Sequence, residues 1–334
     1  MKKNFINIIS CIIVTAAVVF LMVYLGKVLR PEYTDMSVVA VRTFHELPED
    51  SVEVIIYGSS HAWRGVDSME MYSGHGVGAY NYACNWQHIN TTGLFVEDSL
   101  LTQSPKVALV ECYRVGEIIE DCNPDGEIYY TRTLKNTEAK KRYLKKCFGD
   151  NKERLLAYYL PFAQFHYNWS ELTRENFDFS YIDSGSLRKE MGAATGASDD
   201  SEESEAFTVE IPDWHEFWQQ PLSDESTEEL DRIVNACREK GTEVIFFVIP
   251  GMSGEYIYGD AMREYAKARG CTFLDFYDLY EEAQIDGKTD FADSEHLNAK
   301  GAAKLADYLG EYIVNNYEVT DFREIPENMW EMGL

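Results

Sequence analysis

Val54-Ile55-Ile56-Tyr57-Gly58-Ser59-Ser60-His61 is the stretch whose reading decides the fold. Four consecutive β-branched or aromatic residues suit a strand covered on both faces, as in a parallel sheet. The run then stops at a glycine and two small hydroxylated residues. Open α/β sheets place reactive groups at such C-terminal strand ends. Similar apolar runs at 80–84, 107–112, 244–249 and 272–276 read as strands, the first run covering 52–57. Helical spacing appears near 92–101, 227–240, 260–269 and 299–315. Ser226-Thr227-Glu228-Glu229 reads as a helix start and Lys240-Gly241 as a stop. Strands alternating with helices predict an α/β fold, with three α/β/α layers around a mostly parallel five-stranded sheet.

A second block lies near the other end of the chain. Asp293-Ser294-Glu295-His296 is followed by Leu297-Asn298 and by a helix beginning around Gly301-Ala302-Ala303. An acid three residues ahead of a histidine can share its turn, accept its N–H and fix its tautomer. Such a pair needs a nucleophile, and Ser60 supplies one, giving the chain order Ser, Asp, His. Ser59 is adjacent, and the pattern alone does not separate the two serines. The structural alternatives are a tight turn at 58–60, and an N-cap with a surface histidine at 293–296. His61 and Arg64 follow the serine; each is a candidate substrate contact, against turn packing for the first and a surface ion pair for the second.

Residues 5–25 carry no charge and only Asn7, Ser10 and Thr15 as polar interruptions. Twenty-one helical residues match a hydrocarbon core of roughly 30 Å. The stretch exceeds the usual apolar length of a signal peptide and lacks a small-residue cleavage site. It reads as an uncleaved single-pass anchor, with the body outside the cell membrane. The flanking Lys2, Lys3, Lys27 and Arg30 give little charge bias. Net charge is −27, from 57 acidic and 30 basic residues, which excludes a nucleic-acid partner.

The domain map is an anchor at 1–30, a spacer at 31–49, a domain at 50–320 and a tail at 321–334. The stretch from about 113 to 223 breaks the strand–helix rhythm and reads as an insertion. It includes an acidic run at 199–205 that suits a solvated loop. Seven cysteines show no metal-ligand spacing, and most read as buried thiols.

Gly58-Ser59-Ser60 and Asp293-x-x-His296 resemble the first and last blocks of the SGNH/GDSL hydrolase superfamily, over roughly 50–115 and 240–316. The likeness is to its membrane-anchored acyltransferase-type branch, similar to the D-alanyl transfer protein of teichoic acid synthesis and to polysaccharide O-acetyltransferases. The resemblance implies an SGNH-like sheet of flavodoxin-like order, Ser60 as nucleophile, His296 as general base and Asp293 as its orienting acid. Asn81-Tyr82-Ala83-Cys84-Asn85-Trp86-Gln87 looks like the second block, with Trp86 where a glycine is usual. The third-block asparagine is missing at Val110-Glu111-Cys112-Tyr113. An oxyanion donor must then come from a backbone N–H such as that of Ser60, or from another side chain such as that of Asn85; Glu111 is a further strand-end candidate.

His166-Tyr167-Asn168-Trp169 resembles a His-x-x-Trp element of these anchored proteins, which makes His166 and Trp169 candidate sugar contacts. The implied function is an extracytoplasmic serine O-acyltransferase or esterase acting on cell-surface polysaccharide or teichoic acid. The implied partner is a multi-spanning membrane O-acyltransferase, and no metal or organic cofactor is implied. The alternative from another class is a non-catalytic glycan-binding or assembly protein that keeps the fold.

Overall fold

The computed structural model describes residues 2–29, 36–117, 130–177, 190–195, 219–251 and 256–332. Among these the elements begin with α1 (Lys2–Val28), α2 (Met36–Phe44), β1 (Val54–Tyr57), α3 (Ser60–Gly65), α4 (Ser68–His75) and β2 (Ala79–Asn81). They continue with α5 (Ile89–Ser99), β3 (Val107–Glu111), α6 (Glu138–Phe148), α7 (Lys152–Tyr159), α8 (Pro161–Phe165) and α9 (Asp224–Glu239). The last are β4 (Glu243–Val248), α10 (Gly259–Arg269), β5 (Thr272–Asp275), α11 (Ala299–Asn316) and α12 (Met329–Met332). The chain divides into two compact units, Met1–Met36 with Leu144–Ser184, and Ser37–Tyr143 with Gly185–Leu334.

The larger unit is built on one five-stranded, all-parallel sheet of order β2-β1-β3-β4-β5. Val54 sits opposite Ala79 on one side and Val107 on the other, and Val107 sits opposite Glu243. β1 and β3 are buried throughout, which is why their residues run apolar without alternation. For this strand order the right-handed crossover rule predicts α4 on one face and α5 and α9 on the other. The packing agrees: α5 lies against α9, while α11 lies against α3 and α4. α9 buries Leu230, Ile233, Val234 and Cys237, the i, i+3, i+4, i+7 stripe of an amphipathic helix. The neighbours β1 and β3 are the point where strand order reverses, and their C-terminal ends open the crevice in which this topology places a site.

Four expectations change. α9 starts three residues early, because Ser223 rather than Ser226 caps it and accepts from the Ser226 N–H at 3.0 Å. Ser226 lies inside the first turn and its hydroxyl donates to the Val115 carbonyl at 2.7 Å. The supposed spacer at 31–49 holds α2, whose Phe44 stacks on Tyr82 at 4.0 Å, while the Tyr80 hydroxyl donates to the Ala40 carbonyl at 2.8 Å. The 321–334 tail is part of the unit as well. Trp330 is buried and donates its indole N–H to the Ala79 carbonyl at 3.0 Å. On the same outer side of β2 the Asn81 N–H donates to the Met191 carbonyl at 2.9 Å. Strand ends also shift by a residue or two, β2 most, because Tyr82 to Cys84 leave the sheet for a loop.

The smaller unit is organised around α1. Its segment Phe5–Val28 is long and apolar enough to cross a membrane, and it is mostly exposed except at its last turn, where Gly26 and Val28 are buried. α8 packs on α1, where a side chain at Gly26 would meet the Phe162 backbone N at 3.1 Å. Asn168 and Asn176 donate to the carbonyls of Leu29 and Val28, each at 3.1 Å. Those are C-terminal carbonyls that a helix leaves without an internal partner. Thus 144–184 of the predicted insertion form one unit with the helix, and the acidic run at 199–205 lies outside the described residues.

Candidate active site

The chain turns sharply out of β1. Gly58 has φ 149°, and a Cβ there would stand 2.5 Å from that of Glu111, so a larger residue does not fit. Ser59 then caps α3, its Oγ accepting from the His61 N–H at 3.3 Å. Ser59 also donates its backbone N–H and its hydroxyl to Glu111 Oε2, at 3.2 and 3.0 Å. The other Glu111 oxygen accepts the Tyr113 N–H. Burial pushes the Glu111 carboxyl up to about 7, against the opposing effect of these hydrogen bonds and of Arg114. The Gly58 N–H is held by Gln87 Oε1 at 3.2 Å, and Asn81 ties the end of α3 to β2 by donating to the Ala62 and Val66 carbonyls.

Ser60 opens α3, and its Oγ lies 2.8 Å from His296 Nε2. His296 Nδ1 lies 2.9 Å from both Asp293 oxygens. A carboxylate only accepts, so Nδ1 carries the proton and Nε2 presents the lone pair to the serine hydroxyl. Asp293 Oδ1 also accepts the backbone N–H groups of Glu295 and His296, at 2.8 and 2.9 Å. Burial by itself would raise the Asp293 pKa, but these N–H groups and the His296 imidazole outweigh that and hold the carboxyl below its ordinary range.

The loop carrying this pair is locked at its base. Phe291 bridges to Leu297, and the Ala292 N–H donates to the His296 carbonyl at 2.9 Å. Asn298 caps α11, accepting the Gly301 N–H at 3.0 Å, and its amide donates to the Thr289 carbonyl at 2.9 Å. Asp290 is fully buried and held by Lys304 at 2.5 Å and by the Asp286 N–H at 2.7 Å. Leu297-Asn298-x-x-Gly301 is therefore the sequence of a helix entry that pins the histidine.

The remaining predicted residues fall in three places. His61 is buried, stacks on Tyr113 at 3.8 Å and lies 5.2 Å from the His296 ring; its Nδ1 has no hydrogen-bond partner. Burial, then the neighbouring His296 and Arg114 charges, lower His61 to about 3, so it is neutral. Arg64 lies 3.6 Å from Asp293 Oδ2, an ion pair with the site acid. The Asn85 backbone N–H donates to the Ser37 hydroxyl at 3.3 Å, and its carbonyl accepts from the Tyr130 hydroxyl at 3.1 Å. No described group engages the Ser60 N–H. Trp86 occupies the left-handed region at φ 59°, and its exposed ring carries the Arg114 guanidinium at 4.8 Å. His166 and Trp169 belong to the smaller unit, where both are exposed and His166 Nδ1 lies 3.0 Å from the Ala163 carbonyl.

Tyr113 and Glu295 were not singled out from the sequence. Tyr113 had no signal beyond its place after β3; Glu295 stands inside the Asp-x-x-His block. Single imidazole nitrogens of His61 and His296 and a carboxylate oxygen of Glu295 lie within 4.8 Å of one another, so these residues could hold a metal ion. Compared with protein-family models and with curated proteins, the chain matches none.

Proposed function

We propose that this chain is a membrane-anchored serine acyl-transfer enzyme of SGNH type. The observation that carries the reading is the continuous line from Ser60 Oγ through His296 to Asp293, at 2.8 and 2.9 Å. His296 Nε2 takes the Ser60 proton as Oγ attacks an acyl carbonyl, and the Asp293 carboxylate stabilises the imidazolium that forms. The imidazolium then protonates the departing alcohol or thiol, which leaves an ester on Ser60. In the second half, His296 deprotonates the acceptor hydroxyl, which attacks that ester, and the imidazolium returns the proton to Ser60 Oγ as it leaves. The Ser60 N–H is a free donor for the oxyanion, in the role an aligned backbone amide fills.

With α1 as anchor, the body stands on the outer side of the membrane, and the acceptor is a hydroxyl of a surface glycan or teichoic acid. A multi-spanning O-acyltransferase beside the anchor delivers the acyl group. The test uses the full-length chain in detergent with a fluorophosphonate and an activated acetyl ester. Wild type should label at Ser60 and hydrolyse the ester slowly, and Ser60→Ala should do neither. Absence of labelling in a folded wild-type chain would favour a non-catalytic glycan-binding or assembly role instead.

A further inference from the structure

We propose that the same centre is a zinc site: His61, Glu295 and His296 bind one divalent zinc ion, and binding switches the serine off. The switching half rests on His296 being the general base, as proposed above.

Two imidazoles and one carboxylate, with a fourth position open, form a ligand set typical of zinc centres that keep an exchangeable site. Imidazole nitrogens favour zinc and its transition-metal neighbours over magnesium or calcium. The three donor atoms lie within 4.8 Å of one another. Tetrahedral zinc with bonds of about 2.1 Å needs donors about 3.4 Å apart. Drawing the donors together takes up to about 1.4 Å of movement, and Glu295, exposed at the loop tip, can supply part of it. His61 adds an imidazole whose Nδ1 has no hydrogen bond to give up, and the ring stacks on Tyr113.

His296 is prepared for metal by the contact that prepares it for catalysis. A zinc-ligating histidine normally donates its other N–H to a carboxylate, which fixes the tautomer and strengthens the ligand. Asp293 holds Nδ1 at 2.9 Å in this manner, leaving the Nε2 lone pair outward. That one lone pair cannot accept the Ser60 proton and bind zinc together. Zinc therefore displaces the 2.8 Å hydrogen bond to Ser60 Oγ, and the serine loses its base.

The experiment uses the full-length chain in detergent, stripped with a chelator. Zinc chloride binding is measured by calorimetry, and Ser60 labelling by a fluorophosphonate is timed in parallel. The expected result is uptake of one zinc, labelling slowed at least about tenfold at saturation, and recovery on adding chelator. Glu295→Gln should weaken zinc binding by about tenfold or more, a loss that outer-sphere changes alone can reach, with metal-free labelling unchanged. His61→Phe, which keeps the stack, should weaken zinc binding similarly. Three results would overturn the proposal: no zinc uptake, equal response to magnesium, or uptake indifferent to both substitutions. Zinc bound with labelling unchanged or faster would overturn the switch. If the metal-free chain does not label, the serine reading fails and the switch with it, whereas Glu295-dependent uptake would still support the metal site.

Discussion

Glu111, at the end of β3, accepts both the backbone N–H and the hydroxyl of Ser59, the residue immediately before the proposed nucleophile. Its second oxygen holds Tyr113, on which His61 stacks. One buried carboxyl thus sets the turn that aims Ser60, and its ionisation carries a stability cost. Folded, burial keeps it protonated up to about pH 7; unfolded, it ionises near its ordinary 4.5. The folded state holds the extra proton across that window, so wild-type stability falls as pH rises through it and levels above. The span corresponds to about 3 kcal/mol at most. Glu111→Gln should flatten this slope, checked by thermal unfolding at pH values from about 5 to 8. Parallel slopes for the two proteins would contradict the buried-acid account.

The two adjacent serines separate by readout. Ser59→Ala removes a helix cap and a hydrogen bond to Glu111, a loss of about 1–2 kcal/mol in stability. Labelling by a serine probe should survive, because Ser60 keeps its bond to His296. Peptide mapping of the labelled site decides it.

Asp293→Asn keeps the shape but presents an amide to Nδ1 in place of a pure acceptor. The imidazole then turns a protonated Nε2 towards the serine. Ester hydrolysis should fall by about 10³–10⁴-fold with little change in Tm. A drop below tenfold, measured on the activated ester, would detach Asp293 from the chemistry.

Trp86 holds a conformation that favours glycine, at a cost of about 1 kcal/mol or more. Its stacking with Arg114 offsets roughly 0.5–1 kcal/mol. Trp86→Gly should leave stability within about 1 kcal/mol of wild type and admit longer acyl esters, seen as a shift in kcat/KM across a chain-length series. An unchanged series would place the ring away from the acyl group.

Trp169 is 71% exposed, so Trp169→Ala should leave unfolding unchanged. If it serves the acceptor, transfer to a surface polymer should fall while hydrolysis of a small ester holds. Equal loss in both assays would remove it from acceptor binding.

The sheet was legible because its strands are short, uninterrupted apolar runs, and the line Ser60–His296–Asp293 because both of its blocks are local. Asp293 and His296 share one turn, and Ser60 follows a strand end directly. What stayed hidden depends on contacts across the sheet. Nothing near Glu111 in sequence says that it reaches Ser59, 52 positions away. The His61–Tyr113 stack joins the ends of β1 and β3 and has no local signature. α2 is nine residues long, too short for its apolar spacing to stand out.

The outer side of β2 has a consequence for how the folded chain behaves in a crowd. A strand at a sheet margin offers unpaired amides and carbonyls to any extended segment that drifts past, and this is how sheets grow into aggregates. Here the Ala79 carbonyl is already taken by the Trp330 indole, and the Asn81 N–H by the Met191 carbonyl. The last residues of the chain and a segment from the long insertion between β3 and β4 therefore act as stoppers against self-templating. Trimming the C-terminus before Trp330 should leave the serine cluster assembled, yet yield a protein that clumps on concentration, because its margin is open to copies of itself.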